Sequence, residues 1–516
     1  MKIVAFAGVF LCASAWAQTP MTDRAAARFL DQATFGPTPA SIAALQTVGI
    51  SSWLKAQFAL NTSNIPDQPI LDSAGNSNDN LQPVQGAFFQ NAVTGQDQLR
   101  QRVALALSEI WVVSADSGVH QAYAYPPYWR IFRDNAFTNY RDIIKAVTLS
   151  PAMGRYLNMA NNNKANTAKD TAANENYARE AMQLFTLGLT QLNSDGTPVL
   201  DSNHNPVPTY NQSVVTNMAK AFTGWTYPTA PGAMAKTNNP EYFIGQMFAV
   251  EAEHDTTEKT IFDNIIIPAG QTAEQDLESV LDAMMKQPTM APFVSQQLIQ
   301  HLVTSNPSAA YIERVAKVFE NNGSGVTGDM EAVITAILTD TEARAGDSAT
   351  AAANVNFGHL REPVVFMPNM LRGLNATLGS QSVIYYYTNL MGQDLFNAPS
   401  VFSYFSPQYR TEKGLLGPEF QIYSTQTVAN RADAVNSALY STLDKSTTVN
   451  LTPFMQYASN TNALLDYIGY VFLYHSMSSD LQQTAAKAVN AATTPQRRVQ
   501  AALYLVLTSG EYQIIH

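Results

Sequence analysis

The sequence predicts a mainly α-helical protein: a large multi-helix, bundle-like body with small β-hairpin insertions around 189–210 and 243–267. Three observations predict it. Apolar residues recur at helical spacing along most of the chain, as in Leu99, Val103, Leu107 and Trp111, which fall every four residues. Strand signals are local and bounded by turn residues. No strand–helix–strand alternation occurs, which speaks against a doubly wound sheet.

Taken in order, residues 1–17 read as an export signal. Lys2 supplies the charge, Ile3 to Ala13 the apolar stretch and Ala15-Trp16-Ala17 the small-residue cleavage site. The stretch is too short to span a bilayer, and no later segment reaches roughly 18 uninterrupted apolar residues, so no membrane span is expected. Thr38-Pro39 caps a helix that Gly49 closes. Asn61 to Gln85, rich in Asn, Asp and Pro, reads as a long loop. A helix of about four turns carries Leu99 to Trp111. Asp195-Gly196 and Asn203-His204 punctuate Leu189 to Tyr210 into one or two hairpins. Phe243–Val250 and Thr260–Ile267 could pair across a turn at His254. Thr272 with Gln275 forms a capping box. Phe293–Val303, Ala309–Phe319, Met330–Leu338, Thr427–Leu439, Ala463–Tyr474 and Arg497–Leu507 all read as helices. The Ala-rich stretch 346–356 is the best boundary between an N-terminal body, 18–345, and a C-terminal region, 357–516, packed on it as one unit.

The net charge of −11 speaks against nucleic acid, whose partners carry basic surfaces. Charged residues make up 14% of the chain, below the ~25% usual for a globular domain. Neutral polar side chains cover much of the surface instead, which suits an exported protein and neutral ligands such as glycans. The sole cysteine, Cys12, lies inside the signal. A mature chain would therefore hold no disulfide, thiol nucleophile or thiolate metal site.

The densest polar motif is Asn174 to Glu180, followed at once by the apolar run Ala181 to Leu189. On a helix Glu175 and Arg179 share a face. Glu180 sits roughly 140° from Glu175 at about 100° per residue, so the two glutamates diverge. Acid/base work would then recruit Glu109, Asp255 or Glu362, since a glycosidase needs two carboxyls ~5–9 Å apart across the scissile bond. A structural charge cluster with Arg102, Arg179 or Arg361 explains the same residues. Arg102 and Glu109 share a face of an otherwise apolar helix and need partners if buried. His254-Asp255, with Lys259 four residues on, could orient an imidazole, or could simply form a turn. The histidines are dispersed without metal-binding spacing, and Asp201 to Gln212 fails as a calcium loop at Pro206 and Gln212. No phosphate-binding or dinucleotide loop occurs, so neither metal nor cofactor is expected. Trp225 is a candidate stacking platform for a sugar ring.

Several segments together resemble a bacterial family catalogued as domain of unknown function 1800. They are Arg28–Thr38, Leu99–Glu109, Asn174–Glu180, Ala221–Trp225, His254-Asp255, Pro292–His301, Gly328-Asp329 with Ala343-Arg344, Leu360–Pro363, Ala398–Phe402 and Pro418–Phe420. The resemblance implies an exported, mostly helical protein without an assigned activity. Members are often encoded beside a second exported family, domain of unknown function 1501, which implies a partner. Many members follow the Asn-Glu-Asn motif with Glu-Leu-His, where this chain has Gln183-Leu184-Phe185.

Two functions fit. A non-catalytic protein of the cell envelope or secretome would bind a partner or polymer, with the polar motifs as scaffold; the sequence favours this reading. The alternative is a hydrolase of a glycan or other neutral polymer. It would take Glu175, Glu180, Arg179, His254 and Asp255 as catalytic candidates, with Arg102, Glu109, Trp225, Arg361 and Glu362 contacting ligand.

Overall fold

The computed structural model describes residues 20–348, 356–379, 382–474 and 477–516. The predicted signal and most of the 346–356 stretch lie outside the described residues. Helices dominate. Gln98–Ile110, Met290–Leu302, Ala309–Glu320, Met330–Thr339, Thr425–Tyr440, Thr461–Leu473 and Pro495–Leu507 each lie within a few residues of the predicted spans. Their termini follow the capping chemistry. The Thr38 hydroxyl accepts from Ser41 N with Pro39 at the first helical position, and Thr272 and Gln275 cap one another reciprocally before Ala273–Met285. Gly49, at φ 77°, kinks Pro39–Ala59 in mid-course, where a left-handed residue cannot continue the helix. Helix Gln82–Thr94 begins inside the stretch expected to be loop, with Pro83 in its first turn.

The run after Asn174–Glu180 departs from expectation. Asn176–Glu180 is α-helical, but Ala181–Thr186 is a π-helix. Leu187 N donates to Met182 O at 2.9 Å, five residues back, and the Thr186 hydroxyl donates to Ala181 O. The wider turn changes which face follows Glu180, and such turns are frequent at functional sites.

Strands are short antiparallel pairs, and two differ from the predicted pairing. Phe248–Ala249 pairs with Trp225–Thr226, while Lys259–Ile261 folds back on Ile265–Ile267. Asn264, at φ 62°, reverses the chain in place, so this segment never reaches Phe243–Val250. Between Leu189 and Tyr210 the hairpins are isolated bridges: Thr190 with Pro208, Leu192 with Pro198 and Leu200 with Pro206. Each bridge includes a proline, which has no N–H to extend a ladder.

One contiguous apolar core runs from Ala26 to Ile515. Helix Gln82–Thr94 packs on Pro363–Gly373 and on Ile384–Leu390. The C-terminal Ile514–Ile515 pairs with His359–Leu360. Among the described residues no helix is long and apolar enough to cross a membrane.

Gly36 locks the first helical hairpin to this core. It has φ +123°, and a Cβ there would sit 2.6 Å from Asn369 Nδ2 and 2.9 Å from Asn369 Cα. Its carbonyl accepts from Arg372 Nε at 2.7 Å. Gly36→Ala is expected to lower stability by ~2 kcal/mol or more, from backbone strain plus overpacking. Urea denaturation checks it, and a loss below ~0.5 kcal/mol would contradict the packing described.

Candidate functional site

The helix Gln98–Ile110 is buried almost all round, so its polar residues must be answered from other elements. Arg102 and Glu109 share the face expected of them. Glu109 lines a small cleft with an enclosed volume of about 60 Å³. Leu184, Val401, Phe402, Phe405, Pro407 and Pro418 form its walls. His301 and Glu419 also line it. Phe402 stands 43% exposed at the rim.

Behind Glu109 lies Glu362, which precedes helix Pro363–Gly373 with its side chain turned inward. The two carboxyl groups are bridged by a single side chain. Gln393 holds them together. Its Oε1 accepts from Val364 N at 2.9 Å, which fixes the amide, so Nε2 donates to Glu109 Oε1 at 2.9 Å and to Glu362 Oε2 at 2.7 Å. Arg102 Nη1 is 3.9 Å from Glu362 Oε1, while Nη2 donates to the His301 carbonyl at 2.6 Å. His301 Nδ1 lies 3.3 Å from Glu109 Oε2. Glu419 Oε1 meets His359 Nδ1 at 2.9 Å. Arg102 Nε and Nη1, Glu109 Oε2 and Glu419 Oε2 make no hydrogen bond with the described residues.

Burial sets the protonation of this group. Desolvation pushes Glu109 to about 7, although its hydrogen bond to Glu362 and the Arg102 charge pull it back. Desolvation, then repulsion from Glu109, pushes Glu362 to about 8. Burial also lowers the His301 imidazole below its usual range. Two carboxyls this close cannot both ionise cheaply, so the pair titrates as a unit and retains a proton near neutrality. That proton can be given and taken within the pair, which is the requirement for acid/base chemistry on a neutral substrate.

The other candidates lie elsewhere. Glu175 is a partly exposed surface group. Partial burial would raise it, but donors from Gln212, Thr216 and Arg179 hold it below the usual carboxylate range. Glu180 diverges from it, half-buried, and burial raises its pKa. It lies close enough to Tyr156 and Tyr210 to disfavour their ionisation. The Asn174 motif reaches the cleft only through Leu184 of the π-helix. Phe185 is buried with its ring 4.4 Å from that of Trp111.

His254 does not pair with Asp255. It is buried, with Nε2 3.1 Å from Asp276 Oδ2, while the Asp255 carboxylate accepts from Thr257 N at 2.9 Å. Trp225 is buried in its strand and presents no face for stacking. Arg361 pairs with Asp31 at 2.7 Å. The structure thus joins Arg102, Glu109 and Glu362, and separates them from Glu175, Arg179, Glu180, His254, Asp255, Trp225 and Arg361. Sequence reasoning missed Gln393, His301 and Glu419. The last two fall inside family-like segments, Pro292–His301 and Pro418–Phe420, but nothing in their local spacing marks them, since their partners come from distant helices.

The chain belongs to the family described as "Protein of unknown function (DUF1800)", which matches residues 28–514, nearly the whole sequence. No curated protein and no solved structure matches it.

Proposed function

We propose that the cleft over Glu109 is the acid/base site of a hydrolase acting on a neutral polymer outside the cytoplasm. The observation that carries this reading is Glu109, which lines a cleft walled by Phe402 and Phe405 and is bridged through Gln393 to the buried Glu362 behind it. Strongly shifted carboxyls in a cleft mark functional sites more often than chance. Two carboxyls bridged by one amide nitrogen of Gln393, at 2.9 and 2.7 Å, do not flank a scissile bond as the ~5–9 Å pair of a glycosidase does. The pair therefore works as one proton-sharing unit, with Glu109, facing the cleft, exchanging protons with water or leaving group and Glu362 tuning it. Ligand charge is constrained too: Glu109 and Glu419 disfavour an anionic substrate, and apolar walls favour a neutral one.

A scan of neutral glycans, polyesters and peptides between pH ~5 and ~8 tests this. Glu109→Gln is expected to keep the fold and lose at least ~10²-fold in hydrolysis, the usual contribution of a general acid or base. Circular dichroism checks the fold and product release the rate. Binding without turnover by the wild type would overturn the hydrolase and support the second reading, a polymer-binding protein. The half-exposed Phe402 at the rim favours that reading. An exported protein of the domain of unknown function 1501 family is the partner to include in such binding assays.

A further inference from the structure

We propose that Lys259 and Asp276 become joined by an isopeptide bond between Nζ and Cγ, a covalent cross-link inside the chain and separate from the cleft. Lys259 Nζ lies 2.7 Å from Asp276 Oδ2, and the two side chains are 1% and 0% exposed. Nζ also donates to the Asp255 carbonyl and to the Thr257 carbonyl at 2.8 Å. A neutral amine has two N–H bonds and one lone pair. With both N–H bonds taken by carbonyls, the lone pair is left for the direction in which the carboxyl lies.

His254 approaches the same carboxyl oxygen, with Nε2 3.1 Å from Oδ2. Its tautomer is fixed by its neighbours. Nδ1 faces the Thr223 carbonyl at 3.0 Å, and the Thr223 hydroxyl already donates to Lys220 O at 2.6 Å. Nδ1 is therefore the donor, and Nε2 is the atom that exchanges a proton with Asp276. Asp276 Oδ1 makes no hydrogen bond with the described residues, so the carboxylate charge is supported at one oxygen only.

The reaction balances without oxidant or cofactor. A proton passes from the ammonium to the carboxylate within the ion pair. The amine nitrogen attacks Cγ, and the Nζ–Cγ bond forms. His254 Nε2 relays a second proton from nitrogen to Oδ2, the Cγ–Oδ2 bond breaks, and one water leaves. His254 ends as it began. Cys12 is the chain's sole cysteine, so no disulfide can brace this segment; the amide would tie strand Lys259–Ile261 to helix Ala273–Met285 instead.

Trypsin digestion of the denatured full chain with mass spectrometry tests the bond. An acylated Lys259 resists trypsin. The expected product is residues 237–286 as one peptide, lighter by one water than its sequence, with fragmentation confining the loss to a loop between 259 and 276. Lys259→Arg is expected to restore cleavage at 259 and full mass. Recovery of 237–259 and 260–286 at full mass from the wild type would overturn the proposal, whatever the variant does. So would a lighter 260–286 peptide cleaved normally after Lys259, which marks a succinimide at Asp276.

Discussion

Raising the pH from about 6.5 to about 9 is expected to destabilise this protein by on the order of 3 kcal/mol through Glu109 and Glu362 alone. Both carboxyls start from 4.5 and are raised on folding, to about 7 and about 8. The folded state therefore holds more protons than the unfolded chain wherever the pH lies between those values. Their contribution is fully present below 4.5 and is lost as the pH climbs through 7 to 8. His301 works in the opposite sense. Burial lowers its pKa, so the folded chain resists its protonation, and its effect is confined to pH below about 6.5. Starting at 6.5 isolates the carboxyl pair. Glu362→Gln keeps the shape and a hydrogen bond to Gln393 but removes the like charge beside Glu109. It is expected to reduce the alkaline loss to less than half. Urea denaturation at a series of pH values reads both slopes, and an unchanged slope in Glu362→Gln would show that the pair is not the coupled unit described. The same titration bears on function. If the pair supplies the working proton, activity should fall over the alkaline limb in which stability falls.

The helices were legible because each is specified locally. Capping residues such as Thr38 and Thr272 mark starts, and apolar spacing marks the buried stripes. The pairing of Phe248–Ala249 was not legible, since which strand edge is free depends on where Trp225 is carried by the helix before it. Nor was the π-turn at Ala181–Thr186, since an apolar run reads the same whether its turns close four or five residues back. At the site, two charges in an apolar helix, Arg102 and Glu109, marked a need for partners if buried. Their answer from Glu362, 253 positions away, and from Gln393 required the fold. The densest polar cluster in the sequence, Asn174–Glu180, is largely a short helix start whose Glu175 is satisfied by Gln212, Thr216 and Arg179. Charge density along a sequence thus located a surface knot, while the shifted carboxyls lay where charge was sparse, because sparse charge is what makes burial costly.

Arg361→Leu is expected to cost about 3–5 kcal/mol, because it strands a buried carboxylate. The Arg361 and Asp31 side chains are 1% and 0% exposed and meet at 2.7 Å. The other Asp31 oxygen accepts from Asn369 Nδ2 at 2.8 Å, and Asn369 Oδ1 accepts from the Tyr512 hydroxyl at 2.8 Å. Arg361 Nη1 donates to the Tyr512 carbonyl, and the guanidinium lies 4.7 Å from the Tyr512 ring centroid. Residues from both ends of the chain and its middle thus close one network, and removing the cation leaves the buried Asp31 carboxylate without its direct ion-pair partner. The pair itself need not be stabilising, since desolvating two ions offsets most of their attraction. Asp31→Leu combined with Arg361→Leu is therefore expected to recover at least half of the single-variant loss. A coupling energy of several kcal/mol in that double-mutant cycle, measured by urea denaturation, is the expected result. Additive losses would mean that each side chain is held by its own hydrogen bonds and packing, and that the ion pair does not join the N-terminal helix to the segment after strand His359–Leu360.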